Sequence, residues 1–341
     1  MLGRYAGAAA LVAASSLALW WRMRRDVGPE DEASRVRRHR RLLRGKFSDK
    51  WRAEIDVAVE LATRCGTNMM KCVGGSSAQM KADDRESPSL VASIDPQTEV
   101  DIENERLVMD TLAETFPDAV VIGEETTAFL GRMPDIDPLK KTWIVDPIDG
   151  TQNFCSNLPL SCVSIGLAVG GKSELGVVYD PYRDELFVGV ASEGKAFVNG
   201  ERLHHCDETG APSSLHDKAV ILTDVGYERS ELGARRIAAC HEALLTANVF
   251  SVRIIGSTVL ALSWLAAGRA HAAFMGLHKK DCPKAWDWCA AAAIGEACGV
   301  KFTCLMSDEP FGLLSSSVVA ARSSALGAVL KRTLSEAIKQ V

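Results

Sequence analysis

The chain has 341 residues, 47% of them apolar and 24% charged, which is the composition of a globular protein with a large core and excludes a disordered chain. A formal charge of −5 excludes a general attraction for phosphate backbones, so no nucleic-acid partner is expected and any bound phosphate must be held by a local device. Ten cysteines are scattered without the spacing of a zinc site or a secreted disulfide framework; reduced thiols are expected, with Cys162 and Cys289 as small buried hydrophobes.

Along the chain, residues 1–45 differ from the rest. Tyr5 to Trp21, YAGAAALVAASSLALWW, carries no charge and ends in paired tryptophans followed by RMRR. At roughly 17 residues this run sits at the short limit for a membrane span, and its Trp-then-Arg edge resembles an interfacial boundary. The positive charges come after it, at Arg22, Arg24 and Arg25 and again from Arg35 to Arg41. That order predicts membrane attachment through residues 5–21, with the folded domain on the cytoplasmic side. The alternative is a mitochondrial or plastid transit peptide, since residues 1–25 hold several Arg and no acid. The block DEASRVRRHRRLLR reads as a solvated linker.

The globular domain is expected over 46–341. Ser48 is placed to cap a helix whose core face is Trp51, Ile55, Ala58, Val59, Ala62, Cys65 and Met69. Residues 74–93 are polar and rich in Gly and Ser and read as a loop. Asp95 as N-cap and Pro96 at the first position predict a second helix with Val100, Leu107, Val108, Leu112 and Phe116 inward. Short strands follow, separated by Gly, Asp and Pro turns: AVVIGEE, TWIVDPID, LSCVSIGLAVG, SELGVVYDP, DELFVGVA and GKAFVNGERL. Beyond residue 206 the pattern changes to strands alternating with helices over 231–246, 258–267, 286–298 and 323–339. Helices flanking sheets in two successive halves, 46–205 and 206–341, predict a layered α/β architecture.

WIVDPIDGTQNF, Trp143 to Phe154, runs an apolar strand into two aspartates, Asp146 and Asp149. Pro147 stiffens the turn between them. Two close carboxylates repel, so either one is protonated or a cation sits between them. Hard oxygen donors with no adjacent His or Cys suit Mg²⁺ better than zinc. Gly150 and Thr151 offer backbone N–H groups to a phosphate oxygen. An isolated D-P-x-D-G is more simply a turn, but VIGEE ends another strand in Glu124 and Glu125, and KAWDW opens an apolar helix with Asp287.

VIGEE, WIVDPIDGTQNF, SCVSIGL and AWDWCAAAAIGEACGV resemble, in order, the motifs of the inositol monophosphatase family, over roughly residues 50–335. The resemblance implies a mixed α/β fold, the layered αβαβα sandwich of the lithium-sensitive sugar phosphatases. It also implies an Mg²⁺-dependent phosphomonoesterase of small-molecule phosphate esters, commonly a homodimer. Inositol monophosphate is the expected substrate; histidinol phosphate, galactose 1-phosphate and 3′(2′),5′-bisphosphate nucleotides are the alternatives. A non-enzymatic phosphoinositide-binding scaffold at a membrane would need a broken ligand position, and every position that can be read is intact.

Carried over residue by residue, Glu124, Asp146 and the carbonyl of Ile148 resemble the ligands of one Mg²⁺, and Asp146, Asp149 and Asp287 those of a second. Asp95 with Glu124 resembles the position of a weaker third ion or an activated water, which Thr151 would orient, while the N–H groups of Gly150 and Thr151 grip the phosphate. Attack by water is then direct, without a phosphoenzyme. RIIGST makes Ser257 and Thr258 candidate substrate contacts, with a helix cap as the plainer reading. Lys71 resembles a family lysine near the site. The chain departs from the family where an acid that contacts sugar hydroxyls is expected before the W-D motif: Phe274 stands near that place, extra residues follow Gly276, and Asp281 is a candidate substitute. His204, His205 and His278 read as surface residues, and Cys155 as a half-buried, inert thiol.

Overall fold

The computed structural model describes residues 30–73, 78–80, 96–206, 212–227, 229–278 and 283–341. In chain order these form α1 (Glu32–Leu43), α2 (Arg52–Cys72), β1 (Ala78–Met80), β2 (Pro96–Thr98), α3 (Glu99–Thr115), β3 (Val120–Gly123), α4 (Glu124–Leu130), β4 (Thr142–Asp149) and α5 (Thr151–Cys155). The antiparallel strands β5 (Cys162–Val169), β6 (Lys172–Asp180), β7 (Glu185–Val190), β8 (Lys195–Val198) and β9 (Glu201–Arg202) follow. The second half holds β10 (Val220–Thr223), α6 (Glu231–Thr246), β11 (Ser251–Ile254), α7 (Thr258–Ala266), β12 (Ala272–Met275), α8 (Ala285–Ala297), β13 (Lys301–Thr303), β14 (Val318–Ala321) and α9 (Ser324–Lys339).

The strands make a seven-stranded sheet in the order β3-β4-β5-β6-β7-β8-β9 and a five-stranded sheet in the order β11-β10-β12-β14-β13. One core joins α2 and α3 to the outer face of the large sheet through Ile55, Val59, Val108, Trp143, Ile165 and Val177. A second lies between the sheets, where α7 and α8 pack against both, and a third joins α6 and α9 to the small sheet. This is the expected αβαβα sandwich. With both faces covered, β4 is buried along its whole length, which is why it reads as an apolar run rather than an alternation.

A row of glycines seats α8 on the large sheet. Gly166, Gly176 and Gly189 are neighbours across β5, β6 and β7. A Cβ on Gly176 would stand 2.0 Å from the Ala290 carbonyl oxygen, one on Gly166 2.7 Å from the Ala290 nitrogen, and one on Gly189 2.6 Å from the Ile294 Cα. The helix backbone therefore lies directly on the strands.

Four expectations are corrected. The basic block is no solvated linker: it forms α1, capped by the Asp31 carboxylate accepting from the Ser34 N–H at 2.7 Å, with Val36, His39 and Leu43 buried. Its spacing of three and four residues makes an apolar stripe against α2. The helix after residue 95 starts later, because Pro96–Thr98 pairs with β1 and Thr98 is the N-cap of α3, in a capping box with Asp101. Ser48 stands at the N-cap of the 3₁₀ turn Asp49–Trp51 that leads into α2, but its hydroxyl donates to Glu193 and makes no cap bond to the turn. Membrane anchoring is the fourth: among the described residues no helix is long and apolar enough to cross a membrane. The run from Tyr5 to Trp21, on which attachment through residues 5–21 was read, lies outside the described residues.

Candidate active site

Strand β4 delivers the first two acids. Asp146 and Asp149 are three apart, so a regular strand would point them to opposite faces. The pairing of β4 with β5 shifts register between them, and this bulge at Pro147 re-aims the chain so that both carboxylates meet. The Ile148 N–H donates to Asp146 Oδ1 at 3.0 Å, closing the turn over the proline. Asp287, third residue of α8, supplies the next carboxylate and accepts from the Lys284 N–H at 2.5 Å. Carboxylate oxygens of Asp146, Asp149 and Asp287 all lie within 4.8 Å of one another.

Burial raises the Asp149 carboxyl to about 7, helped by the charges of Asp224 and Glu124 and opposed by hydrogen bonds from Ser257 and Val259. Burial also pushes Asp287 well above the ordinary carboxylate range, with Asp149 and Glu124 adding to the effect. Its carboxylate is enclosed although the residue as a whole is half-buried. Carboxylates this close, with Asp149 raising Asp287, are stable together as anions only when a cation is shared among them. The donors are all oxygen, as a hard cation requires, so the trio fits a metal ion.

Around the trio, Glu124 opens α4 and is not one of the three, yet its charge reaches both Asp149 and Asp287. Glu105, a residue the sequence reading passed over, holds that helix start in place by accepting from the N–H groups of Glu125 and Thr126, each at 2.7 Å. Gly150 has φ +87, and a Cβ there would meet the Leu160 carbonyl oxygen at 2.8 Å, so only glycine fits between the acids and α5. The Thr151 hydroxyl lies 2.9 Å from the Ile148 carbonyl and 3.3 Å from Asp101 Oδ1. Ser257 is both a cap and a site residue: its hydroxyl accepts from the Leu260 N–H at 3.2 Å and donates to Asp149. Thr258 is buried in the same first turn, beside Val259, whose N–H donates to Asp149 at 3.0 Å. Asn153 ties the central motif to the other sheet by donating to the carbonyls of Leu160 and Ile255 at 2.8 and 2.9 Å.

Asp95 and Asp281 lie outside the described residues. The carboxylate beside Thr151 is Asp101, which sequence reasoning missed because it looks like an ordinary first-turn acid; the Thr98-x-x-Asp101 capping pattern was its one local signal. Asp224, after β10, was missed as well. Phe274 is fully buried in the outer core with Ile221 and Leu277. Among the described residues Lys71 reaches Glu32 of α1 at 4.0 Å and no site residue. Cys162 and Cys289 are fully buried, and burial raises the half-buried Cys155 thiol, which keeps it protonated. His204 and His205 are exposed, while His278 lines a cleft beside Asp224.

Comparison with known proteins agrees with this geometry. Residues 51–339 match the inositol monophosphatase family. Inositol monophosphatase 2 of Rattus norvegicus is 34% identical over 286 residues, covering 83% of this chain and 90% of that protein. Inositol monophosphatase 1 of Solanum lycopersicum is 38% identical over 228 residues, covering 67% of this chain and 78% of that protein. Among solved structures, the extragenic suppressor protein suhB from Bartonella henselae superposes with a TM-score of 0.67 at 25% identity, covering 83% of this chain and 98% of that one. Sequence match, layered fold and converging acids agree: the chain belongs to the inositol monophosphatase family and is a phosphoric monoester hydrolase.

Proposed function

We propose that this protein is an Mg²⁺-dependent phosphomonoesterase of a small polyol or sugar phosphate, inositol monophosphate first among them, acting by direct attack of water on phosphorus. The observation that carries the reading is the convergence of Asp146, Asp149 and Asp287 within 4.8 Å in an all-oxygen, buried setting. The names of the relatives supply the substrate class. Asp146, with Glu124 and the Ile148 carbonyl on one side and Asp149 and Asp287 on the other, would hold two ions. Bound Mg²⁺ supplies neutralisation of the ester's phosphate, acidification of a water and stabilisation of the leaving oxygen.

The chain's own groups position the reactants. Thr151 has a single hydroxyl proton, so it donates to one of its two neighbours at a time. Donation to Asp101 leaves the Ile148 carbonyl to the ion, and the Thr151 oxygen, whose lone pairs are untouched by the donation, accepts from the attacking water and aims it. The N–H groups of Gly150 and Thr151 hold a phosphate oxygen at the start of α5. Asp149, fixed by Ser257 and Val259, cannot rotate away from the trio. The reading brings a homodimer with it by resemblance. Phosphate release should be measured with Mg²⁺, with Ca²⁺ in its place, and in excess EDTA, over inositol phosphates, histidinol phosphate, hexose phosphates and adenosine 3′,5′-bisphosphate. Release should require Mg²⁺, be suppressed by Ca²⁺, whose looser coordination misplaces the water, and be fastest with an inositol monophosphate. Undiminished release in EDTA overturns the reading.

A further inference from the structure

Positive charge gathers where α1 gives way to α2. Over residues 40–56, Arg40, Arg41, Arg44, Lys46, Lys50 and Arg52 stand against Asp49, Glu54 and Asp56, in a chain whose net charge is −5. Glu54 and Asp49 are already matched, by Lys141 and Arg52. Cations at the end of α1 complement its dipole, which accounts for Arg40, Arg41 and the C-cap Arg44. It does not account for Arg52, which opens α2 at the positive end, where a cation is disfavoured.

These charges surround a cavity of about 490 Å³, within the range of small-molecule sites, about 300–1,000 Å³. Arg40, Arg41, Arg44 and Arg52 line it over an apolar floor of Leu43, Phe47 and Ile55. Gly45 turns the chain there with φ +71, and no atom lies within 4 Å of where a Cβ would stand, so the turn does not fill the mouth. Arg40 spends Nε and Nη2 on the Asp56 carbonyl at 3.1 and 2.8 Å. Arg52 turns the same edge to Asp49, its Nε at 3.1 Å. Each is thereby fixed, with Nη1 unbonded among the described residues. The side chains of Arg41 and Arg44 make no hydrogen bond or ion pair among the described residues. Four guanidinium groups around one space repel unless an anion joins them, and their planar forks match phosphate oxygens. The floor suits a flat ring: Phe47 is half-buried, backed by Phe197 at 5.1 Å between ring centres. Phe197 lies on β8, four strands from β4 and so roughly 19 Å across the sheet from the acid trio.

We propose that this cavity is a second ligand site, for a soluble organic polyphosphate whose ring rests on Phe47 and Leu43 while two or more phosphates are held by Arg40, Arg41, Arg44 and Arg52. The site stands independently of the phosphatase reading, and no step of turnover passes through it.

The test is equilibrium dialysis of the full chain against ATP and against tripolyphosphate, in EDTA at about 150 mM salt. In chelator the acid trio repels phosphate, so bound ATP reports on the cavity. ATP should bind with a Kd of about 1 mM or tighter, and about fivefold or more tighter than tripolyphosphate, which brings charge without a ring. Arg41→Glu and Arg44→Glu should each weaken ATP about tenfold or more. Arg332→Glu, an equal change of charge at an exposed position of α9 in the opposite outer layer, should stay within about twofold of wild type. Absence of ATP binding overturns the proposal, and so does tripolyphosphate binding as tightly as ATP. Equal losses in all three variants overturn it too, by reducing the effect to net charge. Vesicles of phosphatidylcholine with phosphatidylserine are run in parallel: if they capture the protein through Arg41 and Arg44 while ATP does not bind, the arginines meet a lipid surface and the proposal falls. Where a Glu variant melts below wild type, Arg41→Gln with Arg44→Gln takes its place, and ATP binding undiminished in that pair overturns the site.

Discussion

Asp287 does two things within one helical turn: it accepts the Lys284 N–H at the start of α8 and it joins Asp146 and Asp149. The two roles are separable. Were it only a cap, Asp287→Asn would cost a few tenths of a kcal/mol, because an amide oxygen still accepts from Lys284. As a ligand, its loss should lower kcat more than a hundredfold, about 3 kcal/mol of transition-state stabilisation. The melting temperature in chelator should stay level or rise, since one of three repelling acids is gone. Turnover across an Mg²⁺ titration, paired with melting in EDTA, checks both. For Asp101→Asn the expectation differs: kcat falls about 10- to 100-fold with little change in KM, because the water loses its aim while the phosphate keeps its grip. The trio could be read from the sequence because each member interrupts or opens an apolar run. Asp101 and Asp224 could not, since an acid in a first turn and an acid after a strand are ordinary locally. Their meaning lies in contacts across the fold, such as the 50 residues that separate Asp101 from Thr151.

Among the elements, α1 was the least legible. Its arginines outnumber its apolar residues and hide the stripe of Val36, His39 and Leu43. Those arginines are largely tied to the fold: Arg38 pairs with Asp184 at 2.6 Å, and Arg40 donates to the Asp56 carbonyl at 2.8 Å and to Glu60 at 2.7 Å. His39 donates from Nδ1 to the Thr63 hydroxyl at 2.9 Å, because that hydroxyl spends its own proton on the Val59 carbonyl. Its Nε2 lies 3.4 Å from Asp184 Oδ1 without hydrogen-bond alignment. A chain beginning at Lys46 should be about 4 kcal/mol less stable than one beginning at Glu30, through loss of Val36 and Leu43 and exposure of the α2 surface they cover; urea unfolding measures the difference. Burial works to raise the Asp184 carboxyl, but His39, Tyr179 and Arg38 outweigh it and hold it well below its usual 3.8. A depressed acid contributes stability above its unfolded pKa and loses it as pH falls below that value. The wild-type melting temperature should therefore drop more steeply than that of Asp184→Asn between about pH 5 and about pH 3. Equal slopes would remove Asp184 from the docking of α1.

At the scale of the molecule, the layered plan was legible because the apolar pattern changes near residue 206 from consecutive strands to alternating strands and helices. Sheet order was not, since which strands become neighbours depends on how helices cover them; β14 inserts between β12 and β13 with no local mark. The glycine row was equally silent, as Gly166, Gly176 and Gly189 are scattered in sequence and meet only across the ladder. That row has a bearing on ion binding, because α8 carries Asp287 at one end and rests on bare backbone at Ala290 and Ile294. Gly176→Ala should cost about 1–3 kcal/mol by overpacking. It should also lift the helix, so that the Mg²⁺ concentration for half-maximal activity rises about tenfold while far-ultraviolet circular dichroism stays unchanged. An unaltered Mg²⁺ requirement would show that the carboxylates hold their spacing without help from the core. On this view the three missing methyl groups at Gly166, Gly176 and Gly189 act as a calliper. The cation's affinity becomes a gauge of dry packing far from any charge, and anything that loosens the interior, heat included, should release the ion before it unfolds the chain.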